Sequence, residues 1–152
     1  MEENVTQNNN AIGSKKKSKV IWIAIAVIAV IIVAIANGGS NDDNDIFAKP
    51  DDGKEFVLCV FLIQNNSNKD ISMSSIANFE AYLDDASINQ DYMGPQTEEG
   101  KKYNSLDGDI ASGKKMEGVI SYEVPKVWNK LEINVTPDIW SSDNITFVAE
   151  NN

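Results

Sequence analysis

An uninterrupted apolar run over residues 20–36 is the feature that most constrains what this chain can fold into. Its 17 residues are seven Ile, four Val, five Ala and one Trp. Each Ile or Val favours membrane insertion by about 0.3–0.6 kcal/mol. A bilayer offers the backbone no partner outside the segment, so the run must be helical there, with a length of roughly 25 Å. The sequence therefore predicts one transmembrane helix over residues 20–36, and the lipid bilayer as its partner.

The residues that flank the run predict its orientation. Lys15, Lys16, Lys17 and Lys19 precede it, whereas an acidic stretch follows it. Cationic flanks stay in the cytoplasm, and aromatic side chains gather at the membrane interface, where Trp22 would lie. We therefore expect a single-pass protein of the cell membrane with a cytoplasmic N-terminus and an extracytoplasmic C-terminal domain.

A cleaved signal peptide is the alternative to a retained anchor. Ala34, Ile35 and Ala36 form a small-x-small pattern typical of a signal peptidase site. The run is longer than the usual apolar region of a signal peptide, which favours retention, whereas cleavage after Ala36 would release an antigen-like secreted protein. A lipoprotein anchor is not expected, because Cys59 is the chain's one cysteine and lies well beyond the run.

Composition divides the rest of the chain. Residues 1–19 lack apolar periodicity and predict a disordered cytoplasmic tail. Residues 37–53 are rich in Gly and Asp and predict an acidic flexible tether. Residues 54–150 are long enough for one modest hydrophobic core. The sequence thus predicts a tail, a membrane span, a tether and one folded domain.

Inside the last segment the apolar residues recur with a period of two, which indicates β-strands. Residues 55–63 are apolar on both faces and predict a central strand, whereas residues 131–136 alternate cleanly. Turn residues separate six to eight such strands, and residues 90–103 have no period and predict a long loop. The expected fold is all-β, an antiparallel β-sandwich.

The order of these features resembles a known superfamily. An apolar strand ends at residues 65–67 (NNS), and the strand FEAYL follows at 79–83. Residues 111–125 (ASGKKMEGVISYEVP), residues 128–132 (WNKLE) and a closing strand come next. This pattern resembles the telokin-like, immunoprotective-extracellular-antigen superfamily of bacterial envelope domains over residues 54–150. The resemblance implies an immunoglobulin-like sandwich behind a signal or a single membrane anchor, and it supplies no catalytic residues. One departure is Ser112-Gly113, where the superfamily usually has Pro-Gly.

The composition argues against several kinds of chemistry. The chain has no His, and all 13 of its cationic residues are Lys. A Ser-His or Cys-His nucleophile pair and an imidazole metal ligand are therefore excluded. Cys59 is expected to be a buried apolar residue, and the adjacent Asp84 and Asp85 would point to opposite faces of a strand. We expect no catalytic residues, no cofactor and no enzymatic activity.

Weak candidates for cation binding and for partner contact remain. Asp43 and Asp45, and separately Asp107 and Asp109, could supply oxygen ligands to Ca²⁺, although neither pair fits the complete EF-hand loop pattern. A calcium- or cation-responsive envelope protein is therefore an alternative function.

Two tryptophans near Pro-containing turns are the candidates for partner contact. Trp128 and Trp140 could anchor a protein partner at the loop ends, although plugging the ends of the core is the favoured role.

Charge narrows the choice of partner. Residues 37–152 hold 21 acidic residues and 9 Lys, a net charge of 9 − 21 = −12. This charge repels nucleic acid and anionic lipid headgroups and favours cationic partners. These features of the sequence favour a non-enzymatic, membrane-anchored binding module of a bacterial envelope that recognises a protein or envelope ligand.

Overall fold

The computed structural model describes residues 25–36, 49–137 and 144–151. These ranges contain nine β-strands and two three-residue 3-10 helices, Gly94–Gln96 and Gly100–Lys102. The strands are β1 (Ile25–Ala36), β2 (Lys54–Asn65), β3 (Ile71–Met73), β4 (Phe79–Leu83), β5 (Ala86–Ile88), β6 (Gly108–Ile110), β7 (Lys115–Pro125), β8 (Lys130–Val135) and β9 (Ile145–Glu150). Neighbouring strands pair antiparallel, so the all-β prediction is confirmed.

The strands form two main sheets and one short ribbon. One sheet has the order β1-β2-β7 and the other has the order β5-β4-β8-β9, while β3 pairs with β6. A single cluster of buried side chains joins the inner faces of both main sheets, and this packing is that of a β-sandwich. Phe61 of β2 illustrates the contact, because its ring centroid lies 5.1 Å from that of Phe79 in β4 and 5.6 Å from that of Phe147 in β9.

Strand β2 is buried on both of its faces. Val57 and Cys59 belong to the main core between the sheets, whereas Leu58 and Val60 belong to a second apolar cluster. This second cluster also includes Val119 of β7, with Tyr103 packed against it. The double burial explains why residues 55–63 show no polar alternation, and it confirms the central strand predicted from the sequence.

The cover on the outer face of β2 and β7 is the segment 89–107, which contains both 3-10 helices. It is held to the free edge of β7 by backbone hydrogen bonds. The amide of Asp91 donates to the carbonyl of Ser121 at 2.8 Å, and the amide of Val119 donates to the carbonyl of Asn104 at 2.9 Å. A Cβ at Gly118 would lie 2.8 Å from the Asn104 carbonyl oxygen, so this position requires glycine. The predicted long loop is therefore an ordered cover.

The secondary structure of the apolar run differs from the predicted transmembrane helix. Ile25–Ala36 forms strand β1 and pairs with β2, with Ile25 opposite Asn65 and Ala36 opposite Phe56. The helices in the described ranges are too short and too polar to span a membrane. The described part of the run is therefore a strand, and the transmembrane helix predicted over residues 20–36 is not shown among the described residues. Residues 20–24 lie outside the described residues.

The physical reason for this difference is the composition of the run. Its β-branched Ile and Val side chains suit a strand. The edge of β2 also supplies the backbone hydrogen-bond partners that a bilayer would deny to a strand. Pairing with β2 is thus a second way for the same residues to satisfy their backbone groups.

Contacts of the folded domain extend slightly upstream of β2. The Lys54 Nζ donates to Glu123 Oε2 at 2.8 Å and to Asp51 Oδ2 at 2.9 Å. These two hydrogen bonds, the one to Glu123 foremost, raise the pKa of Lys54 above its ordinary value. The Asp51 amide donates in turn to Glu123 Oε1 at 2.7 Å. The end of the predicted tether is therefore held against β7.

A fully buried amide fixes the other end of β2. The Asn65 Nδ2 donates to the carbonyls of Lys69 and Ile110 at 2.7 and 2.8 Å. Its Oδ1 accepts from the amide and the hydroxyl of Ser67 at 2.9 and 2.7 Å. Asn65 thereby joins β2, the turn that follows it and the end of β6, which is why this turn needs an amide rather than a carboxylate.

Replacing this amide tests the arrangement. Asn65→Ala is expected to lower the free energy of unfolding by about 2–3 kcal/mol, because it leaves buried carbonyl and amide groups without partners. Urea unfolding followed by Trp fluorescence measures the change. The exposed neighbour provides the control variant, Asn66→Ala, which should change stability by less than about 0.5 kcal/mol. Equal effects of the two substitutions would contradict the role assigned to Asn65.

Candidate functional site

Cys59, one of the residues considered from the sequence, lies in the main core of the domain. Cys59 is completely buried in the core, and burial raises the pKa of its thiol to about 12. A thiol in this environment stays protonated and is a poor nucleophile. The position of Cys59 in the middle of β2 also makes it inaccessible for lipid attachment.

Asp84 and Asp85 form the hairpin turn between β4 and β5. Both have positive φ angles, 48° and 70°, a conformation that Asp tolerates better than most residues. The Asp84 carboxylate accepts from the amides of Asn129 and Lys130, at 3.0 and 2.9 Å from Oδ1. The Asp85 carboxylate pairs with the Lys130 ammonium at 2.7 Å. The two side chains therefore bind the β8 end of the sandwich and do not converge on a shared point.

The candidate cation ligands Asp107 and Asp109 bond to serines. The Asp107 Oδ1 accepts from the amide and hydroxyl of Ser75 at 2.8 and 3.0 Å, and Asp109 accepts from the hydroxyl of Ser72 across the β3–β6 ribbon. In the described part of the chain, no three acidic or cysteine side chains converge as metal ligands would. Asp43 and Asp45 lie outside the described residues.

Trp128 is buried, with 4% of its surface exposed, and belongs to the main core. Its indole Nε1 donates to Glu55 Oε1 at 3.0 Å, so the polar atom of the ring is satisfied inside the protein. This environment is that of a plug at the end of the core, the role favoured from the sequence. The anchor candidates Lys15, Lys16, Lys17, Lys19 and Trp22 and the second tryptophan, Trp140, lie outside the described residues.

One concave surface lies between the β4–β5 hairpin and the start of the cover segment. We call it the Tyr122 cleft, and its volume is about 330 Å³. Its apolar lining includes Phe79 and Ala81 of β4 and Ile88 of β5. None of the described residues that line the cleft carries a charge. Because the amide side chains of Asn89 and Gln90 also line it, the cleft suits an uncharged group with both apolar and polar parts.

Exposed apolar side chains surround the mouth of this cleft. Ile76 and Tyr92 line it, with 72% and 60% of their surfaces exposed, and Met93 follows in sequence with 41% exposed. Single exposed apolar residues are ordinary, and the two that line this cleft make it a candidate binding site. Tyrosine and methionine are also enriched where proteins bind partners.

A second depression of about 440 Å³ continues from the Tyr122 cleft and shares Gln90 and Tyr92 with it. We call it the acidic groove, because Asp91 and Asp107 line it, although Lys101 also contributes. The Asp91 Oδ1 accepts from the amides of Met93 and Gly94 at 2.8 Å each, which fixes the carboxylate at the start of the cover segment.

Tyr122 is the unusual residue of the cleft. Only 1% of its surface is exposed, and its hydroxyl has no hydrogen-bond partner among the described residues. Burial raises the pKa of this phenol above its ordinary value, so the hydroxyl keeps its proton. Buried hydroxyl groups nearly always have a partner. The Tyr122 hydroxyl is therefore an unpartnered polar group enclosed in the core of the domain.

Sequence reasoning missed this site. Tyr122 belongs to an alternating strand and reads as an ordinary core residue, and no pattern reveals that its hydroxyl lacks a partner. Ile76 and Tyr92 fall in stretches without periodicity. The one signal was the long segment around residues 90–103 between strands, because long loops with no period are often functional.

Comparisons with known proteins give a family and a fold. A family model described as "Domain of unknown function (DUF5067)" matches residues 2–137, a range that includes the apolar run. The crystal structure of ycdA from Bacillus subtilis, a candidate lipoprotein, has 18% identity and a TM-score of 0.61 over 84% of this chain and 36% of that chain. The yjhA protein of Bacillus subtilis has 18% identity and a TM-score of 0.48 over 64% and 75% of the two chains.

The match to ycdA shows a shared fold, and this chain spans about a third of the length of ycdA. No curated protein matches the chain. The resemblance to the telokin-like superfamily stays a prediction.

The Asp84 turn generates a prediction of pH dependence. Hydrogen bonds from Lys130, and then from Asn129, lower the pKa of Asp84. A carboxyl with a lowered folded-state pKa stabilises the protein above its unfolded pKa, near 4, and loses that effect as the pH falls through the folded value. Asp84→Asn should therefore be less stable than the native protein at pH 7, and the difference should shrink below about pH 4.

Thermal unfolding between pH 7 and pH 2 measures the change. Asp85→Asn is the matched control, since Asn also tolerates a positive φ and the variant loses an exposed ion pair alone. A stability difference for Asp84→Asn that is the same at every pH would contradict the role of the ionised carboxylate.

Proposed function

The chain belongs to the DUF5067 family, and we propose that it is a membrane-anchored binding module whose folded domain faces the outside of a bacterial cell. The observation that best supports this proposal is the 17-residue run without a polar side chain, which directly follows four clustered Lys. In this proposal residues 20–36 span the bilayer, the N-terminus is cytoplasmic, and the immunoglobulin-like domain binds a ligand. Its role is recognition rather than catalysis.

Insertion energetics support the anchor. Eleven Ile and Val residues together favour the bilayer by about 3–7 kcal/mol. A strand cannot stay in lipid with unpaired backbone groups, so the run would leave β2 and become helical on insertion. The strand pairing and the membrane span are thus alternative states of one segment, and insertion into the membrane determines which state forms.

The length of the connection to β2 makes both states possible. Ala36 lies opposite Phe56 in the strand pairing, and a hairpin between such neighbours needs only two to five residues. The intervening residues 37–55 are far more than that minimum. Excess length of this kind costs little free energy, and it is what a domain held away from a membrane requires.

The surface of the domain supports a binding role. The Tyr122 cleft has exposed Ile76 and Tyr92 at its mouth, and the acidic groove continues from it. The groups that could have been reactive serve the fold instead, because Cys59 is a buried protonated thiol and Asp84 caps the start of β8. These observations favour recognition of a ligand at the cleft.

Location in the envelope is in keeping with the shared fold. The similar protein ycdA is named as a candidate lipoprotein, and a lipoprotein is held at a membrane by its lipid. In this chain Cys59 is buried in β2 and cannot carry a lipid, so the apolar run would provide the attachment. Cleavage after Ala36 would remove the whole of β1 and release the domain.

Protease treatment of intact cells tests the proposal. The full chain is expressed in a bacterial host with a different tag at each end. We expect the chain in the membrane fraction, with its C-terminal tag digested and its N-terminal tag protected. Recovery of the full-length chain from the cytosol without detergent would contradict the anchor, and release of the domain into the medium would contradict its retention.

Two substitutions in the run provide a matched comparison. The double variant Ile28→Lys with Ile31→Lys should leave the membrane fraction, because each central Lys opposes insertion by about 2.5–3.5 kcal/mol. Ile28→Leu with Ile31→Leu should stay membrane-bound. Equal fractionation of the two double variants would mean that the run does not anchor the protein.

A further inference from the structure

The edge of β2 that faces β1 is opened when the apolar run enters a membrane. In the described structure β1 pairs with this edge from Phe56 to Asn65, while β7 pairs along the opposite edge. Alternate backbone groups of an antiparallel strand point to its two neighbours. In the proposed anchored state, half of the amides and carbonyls of β2 therefore lose the strand to which they were bonded.

The opened edge lacks the features by which proteins protect exposed strands. Such edges are usually short, or they carry charged residues, Pro or a bulge. Strand β2 has 12 residues, and residues 56–63 (FVLCVFLI) contain no charged residue and no Pro. Its register with β7 is unbroken from Lys54 to Gln64, so no bulge bends the edge away. An edge of this kind is a template for another strand.

The pairing with β1 shows what the edge accepts, which is an apolar strand in the antiparallel direction. Strand β2 of a second anchored copy meets both conditions. Two identical strands related by a two-fold axis perpendicular to their sheet run antiparallel, and each then satisfies the open edge of the other. The net charge of residues 37–152, 9 − 21 = −12, opposes the approach of two copies, but none of this charge lies within residues 56–63.

The cover segment limits this association to two copies. It occupies the far edge of β7, where the Asp91 amide donates to the Ser121 carbonyl and the Val119 amide donates to the Asn104 carbonyl. A joined sheet with the order β7-β2-β2-β7 therefore ends at two covered edges and is a closed assembly. Attachment of both copies to one membrane also raises the concentration of each edge near the other.

We propose that the membrane-inserted chain is a dimer in which the β2 edges of two copies pair antiparallel and join their sheets. The second copy takes the place that β1 holds in the described structure. This inference rests on the proposed anchor, because insertion of the run is what opens the edge, and it adds an interaction surface distinct from the cleft and the groove.

Energy transfer between labelled copies tests the inference on the full chain. Donor and acceptor fluorophores are placed on C-terminal tags, and the chain is reconstituted in vesicles of zwitterionic lipid over a series of lipid-to-protein ratios. We expect saturable energy transfer that falls on lipid dilution, which gives the dissociation constant of the dimer.

A charge on the edge strand should disrupt this dimer. Leu62 is half-buried on β2, on the same face as Leu58 and Val60. Leu62→Lys would place an ammonium group from each copy in an apolar interface, so we expect association to weaken by about tenfold or more. Ile76→Lys is the control, because Ile76 is 72% exposed and lines the Tyr122 cleft on the β7 side of the sandwich. It should leave the dissociation constant unchanged.

Hydrogen exchange of the β2 amides separates loss of the dimer from loss of the fold. The amides that face β7 should stay protected at every lipid dilution and in Leu62→Lys, which shows that the domain is folded. The alternate amides should be protected in the dimer and should exchange quickly after lipid dilution or in Leu62→Lys.

Three outcomes would overturn the inference. Energy transfer that is unchanged in Leu62→Lys, or equally weakened in Ile76→Lys, would place the contact elsewhere, for instance between the apolar runs inside the bilayer. Absence of energy transfer from a chain that resists alkaline extraction would refute the dimer while the anchor stands. Alkaline extraction of the chain from the vesicles would instead refute the anchor, and protection of the alternate amides at every dilution would then show that β1 still occupies the edge.

Discussion

The burial of β2 on both faces is the constraint on which the rest of this structure depends. Residues 55–63 carry almost no polar side chain, so the strand is stable in water only if each face is covered. The sheet β5-β4-β8-β9 covers one face through the main core. The segment 89–107 covers the other through Tyr103, which packs against Leu58, Val60 and Val119. A chain with one sheet alone would leave half of β2 exposed.

The candidate site follows from how that second cover is attached. Its backbone bonds to the edge of β7 at Asp91 and again at Asn104. The acidic groove lies beside β7 between these attachments, over Val119 and Ile120, and the Tyr122 cleft lies where the cover meets β4 and β5. Close packing holds the cover in place, since a Cβ at Gly94 would clash with Ser121. A cover built from loop backbone leaves depressions that a regular sheet would close, and these depressions form the cleft and the groove.

Sequence patterns predicted β2, β4, β7 and β8 well because each of these strands has at least one buried face. The clean alternation at residues 131–136 corresponds to β8, and the unbroken apolar stretch before Asn65 corresponds to the central strand. Val119 breaks the alternation of β7 because its face is covered by Tyr103. That contact joins residues distant in sequence and is invisible to a pattern that considers one strand at a time. The missing partner of the Tyr122 hydroxyl is a property of three-dimensional packing, and it too could not be predicted.

The apolar run shows a different limit of sequence reasoning. Its composition satisfies two environments, because Ile and Val favour strands where an edge is available and favour helices where lipid surrounds them. The sequence shows that the run is strongly apolar. Whether the run forms a strand or a helix depends on its surroundings. In the described structure it is β1 on the edge of β2, and the proposed anchor uses the same residues in lipid. Strand β2 pairs with β7 along its other edge.

Residue-resolved hydrogen exchange of the full chain in nanodiscs tests the central claim most directly, which is that segment 89–107 is a fixed cover of the β2–β7 sheet. The amides to observe are those of Asp91 and Val119, which bond across the junction between cover and strand. The account predicts that both exchange as slowly as amides within the β2–β7 ladder. Exchange of the Asp91 and Val119 amides at the rate of an unprotected loop would contradict it, because the cleft and the groove would then have no fixed wall.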